Sequence, residues 1–403
     1  MRTHSVIVIG AGGAQAQAML RAAARGADVS RWLAVDRAWR TEARQATEAL
    51  GIATTTCDPL SDGSRLDELL RETEIVANFA GPYYRTGTVV LDAAIANGTD
   101  YFDICDDSDV TLPMLERRRA AADAGITAVV GMGSSPGTSN ILIRAAVDHL
   151  GPVDKVDISW TVDVADCTDA ATRHIFHCFN VVDPDGTMHP VPTWEDLDSR
   201  EVTFPGTVGT QTVVRLAHPE PITVPLALPV AEATNYGAIT PIEAMRVSWA
   251  LAFSVDAHRE PANAPRMDDA IKVLAAYRDT RPDRTRIGSG LQIDVHTDGN
   301  GLRFTSGATT TMEEATGVPA AAGLVLLAEG LIDRTGVLTP EMITPADFFA
   351  TLRRVSVGGG GLELYRLEGG RQTERLRIRD LLGSAIPADR SPVPATAGGL
   401  TQE

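Results

Sequence analysis

Three stretches of the chain carry side chains able to do chemistry: "FAGPYYRTG" at 79–87, "CDD" at 105–107 and "CTDAATRHIFHC" at 167–178. The adjacent carboxylates of Asp106 and Asp107 point to opposite sides of an extended chain. At a strand end one of them faces a cleft while the other caps the helix expected near Val110. A carboxylic acid of raised pKa in such a cleft suits reduction of an imine, whose nitrogen needs a proton, or formation of that imine through a carbinolamine. Tyr83 is placed to donate to a substrate amine or oxygen, with Tyr84 beside it, and the fork of Arg85 suits a substrate carboxylate. The plainer reading of these three is packing aromatics and a solvated cation, and of Cys105 a small buried thiol.

In the third stretch a helix puts Arg173 and His177 on one face, which offers Arg173 to a substrate carboxylate and His174 or His177 to proton relay. Cys167, His174, His177 and Cys178 are zinc-ligand types. Their spacing fits no common finger or ribbon, and His-x-x-His lacks the Glu and the i, i+4 geometry of a metalloprotease helix, so no metal is expected. His218 in "HPEP" reads as a structural turn residue between strands.

These groups need a scaffold, and the first turn of the chain indicates which. "IGAGGAQAQAML" (9–20) begins like a G-x-G-x-x-G phosphate loop, but Gln15 stands where the third glycine belongs. Gly10 permits the tight turn, Gly12 lets the backbone approach a pyrophosphate at the start of a helix, and Gly13 adds slack. The third glycine serves close helix packing. Ala16, Met19, Leu20 and Ala23 form one apolar stripe, so Ala16 takes that place and Ala14 and Gln15 are left for the cofactor. Asp36, ending the next apolar strand, is placed to accept ribose hydroxyls and favours NAD, whereas Arg37 beside it suits the 2′-phosphate of NADP. Ligands of an open α/β sheet lie beyond the carboxyl ends of its strands, which adds Asp58, Ala80, Gly81 and Pro82 to the cofactor candidates. Asp58 serves equally as a turn cap before Pro59.

Between residues 5 and 131 short β-rich runs alternate with helical stretches, the pattern of parallel βαβ units, and about six strands are expected. The fold class is therefore α/β, a doubly wound parallel Rossmann sheet, with an inserted α+β domain for substrate and dimerisation. The boundaries read 1–135 for the nucleotide domain, 136–311 for the insertion, 312–383 for helices returning to the first domain and 384–403 for a flexible tail rich in Pro, Ala and Gly. "LQIDVHTDGNGLRFTSGA" is expected to be a hairpin about "DGNG".

The 403 residues carry a formal net charge of −17, with 44% hydrophobic and 22% charged residues, the composition of a soluble globular protein. Excess carboxylate and the lack of a basic patch argue against nucleic-acid and membrane partners. Lys155 and Lys272 are the only lysines, so a lysine-based mechanism has two candidates. Four cysteines without framework spacing and no leader-like N-terminus point to the cytoplasm. "VPAAAGLVLLAEGL" from Val318 is too short to span a bilayer and reads as a buried helix.

In order along the chain, "FAGPYYRTG", "GTDYFDICDD", "GMGSSPGTSN", "RHIFH", "PDGTMHPV", "HPEPITVP" and "TGVPAAAGLVLLAEGLIDRTGVLTPE" resemble the saccharopine dehydrogenase family, in its bacterial saccharopine dehydrogenase and carboxynorspermidine dehydrogenase-like branch. The resemblance runs to about residue 355. It implies a Rossmann domain, an inserted substrate and dimerisation domain, a homodimer, and NAD(P)-dependent oxidation or reduction of a carbon–nitrogen bond in an amino acid or polyamine, with a small carboxylated amine or imine as substrate. The chain departs from the family at Gln15, and it lacks the Lys/His acid–base pair of the lysine-forming saccharopine dehydrogenases. Two other readings stay open: an amino-acid dehydrogenase acting on a terminal amine, as in lysine 6-dehydrogenase, and a nucleotide-sensing Rossmann protein without turnover.

Overall fold

The apolar runs of the first third pair in parallel, each joined to the next by a helix. In the computed structural model, which describes residues 2–183, 185–191, 193–255, 264–280, 287–358 and 361–384, they are β1 (His4–Ile9), α1 (Ala14–Gly26), β2 (Trp32–Asp36), α2 (Thr41–Ala49), β3 (Ala53–Thr56), α3 (Gly63–Arg71), β4 (Thr73–Asn78), α4 (Tyr83–Asn97), β5 (Asp100–Asp103), α5 (Ser108–Glu116), α6 (Arg118–Asp123) and β6 (Thr127–Val129). The apolar stripe of α1 is buried, Ala16 included, and α4 stops at Gly98, whose φ of +59° is the left-handed helix stop the sequence suggested.

The second unit comprises α7 (Thr138–Leu150), β7 (Val153–Asp163), α8 (Asp169–His177), β8 (Asn180–Val182), β9 (Met188–Pro190), β10 (Ser199–Phe204), β11 (Gly209–Arg215), α9 (Glu220–Ala227), β12 (Val230–Thr240), α10 (Ile242–Ser254), α11 (Ala264–Thr280), β13 (Ser289–Thr297) and β14 (Asn300–Ala308). The chain closes with α12 (Met312–Ala328), β15 (Gly336–Leu338), α13 (Pro345–Val355), β16 (Glu363–Glu368), β17 (Arg371–Leu376) and α14 (Ile378–Ser384).

Two sheets organise the molecule. The first is parallel, in the order β15-β6-β5-β4-β1-β2-β3, a Rossmann arrangement whose sequence order reverses between β1 and β4. The second is mixed, in the order β10-β11-β12-β7-β13-β14-β16-β17. Within it β7 lies parallel to β12 and antiparallel to β13, and β13 and β14 form the hairpin expected about "DGNG", with Thr297 opposite Asn300.

Three expectations need correction. The first sheet has seven strands, not six, because the three residues of β15 pair with β6. A three-residue strand leaves too short a trace to separate from the helical pattern around it. Residues 312–383 do not all return to the first domain: α12 and α13 pack on α1, while β16 and β17 extend the second sheet. "HPEP" leads into a helix, α9, rather than joining two strands. Pro219 and Pro221 sit at its first turn, where a missing N–H costs nothing, and Pro225 lies inside it. The tail expected at 384–403 lies, from residue 385 on, outside the described residues.

The late apolar segment is the buried helix α12, with Ala320 to Leu327 closed to solvent between α1 and the first sheet. Among the described residues no helix is long and apolar enough to cross a membrane.

Candidate functional site

At the turn between β1 and α1, Gly10 has a φ of +77°, and a Cβ there would stand 2.7 Å from the main chain of Phe79 and Ala80. Glycine is thus required by both conformation and space. The Gly12 N–H donates to Asp36 Oδ2 at 2.8 Å, and the Ala38 N–H donates to the other oxygen at 2.9 Å. Gly13 stands at the N-cap of α1 and contributes no side chain, so the N–H groups of Ala14, Gln15 and Ala16 lack intrahelical partners. Together with the helix dipole they form a site for an anion. The close packing normally served by the third glycine comes from another helix. A Cβ on Gly317 of α12 would lie 2.6 Å from the Gln15 carbonyl oxygen and 2.7 Å from Ala18 Cβ, so that helix presses on α1 while Gln15 faces the cavity. Sequence reasoning missed Arg40, whose guanidinium donates to the Gly12 carbonyl at 2.9 Å.

From this turn a cavity of about 1300 Å³ runs between the carboxyl ends of the first sheet and the second domain. Gly10, Gly13, Gln15, Asp36, Arg37 and Asp58 line one end, and Ala80, Gly81 and Pro82 the middle. Asp106, Trp160, His174 and His218 line the other end. Asp58 also accepts the Leu60 N–H at 3.0 Å, so it caps the turn around Pro59 while facing the cavity. A dinucleotide fits these residues: unpaired helix N–H groups for the diphosphate, Asp36 and Arg37 for the adenosine ribose, and an open path to Asp106.

The loop that carries the paired acids is braced from below. Asp103, fully buried, accepts the N–H groups of Cys105 at 3.0 Å and Gly131 at 2.7 Å and the Tyr101 hydroxyl at 2.7 Å. Its burial pushes it up to about 6, against the pull of those donors. Above it both acids border the cavity, but Asp106 is the open one, a third exposed, while Asp107 is 2% exposed and turns inward, as alternation requires. Asp107 does cap a helix, but not the one after it: Oδ2 accepts the N–H groups of Tyr83 at 2.9 Å and Tyr84 at 3.1 Å, which are the first of α4. Pro82, the N-cap of that helix, has no acceptor of its own, so the carboxylate arrives from the neighbouring strand end.

His174 enters from α8 and bridges both acids. Its Nδ1 lies 3.0 Å from Asp107 Oδ1 and its Nε2 3.1 Å from Asp106 Oδ2, with Cys178 Sγ 3.2 Å from Nε2. Burial works against a charge on this ring, but the Asp106 charge, the Cys178 contact and the Asp107 hydrogen bond outweigh it and hold His174 well above its ordinary value. Burial would raise Asp107 too. Its His174 hydrogen bond and the nearby His174 and His177 charges bring it below the usual carboxylate range. Asp106, pushed up by burial and by Asp107 against the pull of His174, stays above that range. The result is an imidazolium beside a carboxyl group that readily takes a proton. These three residues also hold ligand-type atoms within 4.8 Å of one another, but those atoms are engaged in the hydrogen bonds just described.

The other residues singled out from sequence divide between the cavity and the interior. Tyr83 borders the cavity, but its ring is 6% exposed and its hydroxyl donates to the Asn78 carbonyl at 3.3 Å, so that proton is already engaged within the first domain. A tyrosine opening a helix can turn back under the sheet as readily as outward, and sequence does not separate the two. His177 does not line the cavity; it is buried, with Nε2 3.1 Å from Asp109 Oδ2 and its ring 5.0 Å from that of Tyr84. Arg173 lines the cavity while pairing with Asp268 at 2.5 Å. Tyr84 and the exposed Arg85 stand at the rim, and Cys105 is buried below it.

The structure adds a group that sequence reasoning had set aside. His218 reaches the cavity just before α9, and its Nδ1 lies 3.1 Å from Glu220 Oε2. Asn235, Ser135 and Ser139 surround the same buried carboxylate, and Asn235 Oδ1 accepts the Trp160 indole N–H at 2.8 Å. A Cβ on Gly237 would lie 2.2 Å from the Trp160 ring, so the glycine makes room for the indole against β12. A histidine and a glutamate two residues apart at the "HPEP" turn were the available signal.

Residues 6–129 match the model of the saccharopine dehydrogenase NADP binding domain. No curated protein matches the chain in sequence. Among solved structures, apo saccharopine dehydrogenase (L-Glu forming) from Saccharomyces cerevisiae is similar with a TM-score of 0.62 at 14% identity, over 90% of this chain and 100% of that one. The homospermidine synthase of Legionella pneumophila, in complex with NAD, is similar with a TM-score of 0.58 at 10% identity, over 91% and 92%. Residues 6–129 thus carry the matched NADP-binding domain, and the likeness to these two solved structures shows that the rest of the chain shares their fold.

Proposed function

We propose that the protein transfers a hydride between NAD(P) and the carbon of a C–N bond in a small amine or imine of amino-acid or polyamine type. The observation that carries this reading is the His174 imidazolium held between Asp106 and Asp107, at the far end of the cavity that begins at the dinucleotide turn. The nicotinamide supplies or accepts the hydride. The chain must then manage one proton on nitrogen and hold a cationic substrate. Asp106, facing the cavity, attracts an ammonium or iminium and exchanges a proton with it, and His174 buffers that exchange. Arg85 and Arg173, the latter already balanced by Asp268, stand where a carboxylate on the same substrate would be drawn.

In the oxidative direction the substrate carbon loses a hydride, and the nitrogen lone pair closes the C=N bond. The proton lost from nitrogen beforehand goes to Asp106. In the reductive direction Asp106 returns that proton as hydride arrives. The experiment is to incubate the protein with reduced cofactor and a panel of carbonyl and amine pairs, following nicotinamide absorbance. Consumption with at least one pair, lost on Asp106→Asn, is expected. Tight nucleotide binding with no consumption across the panel would favour a sensor instead.

A further inference from the structure

The cavity does not end at its acids and histidines. Beside them stands Trp160, its ring 5.4 Å from that of His218, and from the indole a row of side chains crosses the second sheet. Leu291 lies opposite both Trp160 and Ser306, and since Thr305 pairs with Glu363, Ser306 faces Leu362 one step on. All four line the cavity. Adjacent strands stand about 4.8 Å apart, so this floor runs about 14 Å sideways from the indole. Two helices of the closing segment form the wall across from it. On α13, Phe348, Thr351 and Val355 are buried in the interior, whereas Phe349 and Leu352 line the cavity, half-buried. On α14, Ile378 and Leu382, one turn apart, do the same. None of the residues that fit the dinucleotide lies on these helices or on that row. Apolar side chains gathered along one path, short of full burial, mark a surface that an apolar group covers. At the outer rim Arg353 and Arg379 are exposed, and Arg353 has no ion-pair partner among the described residues. In a chain of net charge −17 that rim favours an anion.

We infer that this arm is a binding site for an unbranched apolar chain, alkyl or acyl in type and anionic at its outer end, carried by the amine or imine whose nitrogen sits at Asp106. This rests on the C–N reading above and specifies the class of its substrate. With the nitrogen at Asp106, the chain crosses Trp160 and Leu291 and then passes between Leu362 and the wall of α13 and α14. Its anionic end emerges at Arg353 and Arg379. Each methylene taken out of water along that path is worth about fourfold in affinity. A short polar substrate would leave the whole arm wet.

Calorimetric titration of the full chain with NADPH bound tests this, using butyl-, hexyl- and octylamine and the ω-amino carboxylates of the same lengths. Affinity is expected to rise by about three- to fourfold per methylene. The carboxylate is expected to add about threefold more at the longest chain only, a gain that Arg353→Gln removes. Leu362→Asp is expected to flatten the rise with length. A flat series overturns the proposal, and so does a rise that Leu362→Asp leaves intact, because the chain then lies elsewhere on the protein. A second measurement needs no variant: octylamine bearing a terminal diazirine, irradiated on the unaltered protein, is expected to label α13 or α14 by peptide mass spectrometry. Label confined to other segments overturns the proposal. The n-alkyl carboxylates, which lack nitrogen, separate this inference from the reading beneath it. A rise with length in that series, with every amine unbound, keeps the arm and brings down the C–N reading. Binding of short amines with no gain on lengthening brings down the arm alone.

Discussion

The main-chain N–H of Gly12 donates to the carboxylate of Asp36 at 2.8 Å, and a Cβ on Gly12 would stand 3.0 Å from the accepting oxygen. The acid at the end of β2 therefore braces the glycine turn as well as facing the cavity. Gly12→Ala should force the carboxylate aside at a cost of about 1–3 kcal/mol, and calorimetric titration should show weakened binding of NAD and NADP alike. An unchanged affinity would mean that the brace is dispensable.

Arg37 separates the two nucleotides. It is exposed at the adenosine end of the cavity, beside Asp36. Arg37→Ala should weaken NADP by about tenfold and leave NAD within about twofold, because a charge-assisted contact is lost only where a 2′-phosphate is present. Dissociation constants for both nucleotides, measured at one ionic strength, check this.

The paired acids should respond differently to the same change. Asp107→Asn removes one charge from His174 and weakens the cap on Tyr83 and Tyr84, so thermal stability should fall by about 0.5–2 kcal/mol. Asp106→Asn touches no helix cap. It should leave the melting temperature nearly unaltered and lower turnover by about 10²–10⁴-fold.

Stability should also depend on pH with a definite sign. His174 is raised in the folded state, so its contribution is complete below its unfolded value of about 6.5 and is lost as pH climbs through the folded value. Asp107 is lowered, so its contribution is present above about 3.9 and is lost as pH falls further. Asp106 is raised and acts with the opposite sign on the acid side, which makes that limb shallow. Melting temperatures measured upward from neutral pH should decline in the unaltered protein and stay flatter in His174→Gln.

Much of this was legible in the sequence because local rules wrote it. Gly10, Gly12 and Asp36 lie within one βαβ unit, and the stripe of α1 follows the helical period, so the turn, the sheet and the cofactor class followed from spacing. The alternation of Asp106 and Asp107 was readable for the same reason. The acceptor role of Asp107 toward α4 was not, since Tyr83 and Asp107 meet only across two strands of the finished sheet. Gly317 pressing on Gln15, and Glu220 gathering Ser135, Asn235 and His218, likewise depend on long-range packing that no window of sequence contains. His177 looked equivalent to His174 on the page. The orientation of α8 decides between them, and it sends one ring to Asp106 and the other to Asp109.

The three residues of β15 join the first sheet beside β6, although Gly336 follows Val129 only after β7 to β14 of the second domain have been made. During synthesis on the ribosome the nucleotide domain must therefore wait with an open edge, while β7 to β14 emerge, for a strand translated long after β6. A nascent chain stalled before Gly336 would expose that edge to chaperones or to another chain, whatever the state of its dinucleotide turn.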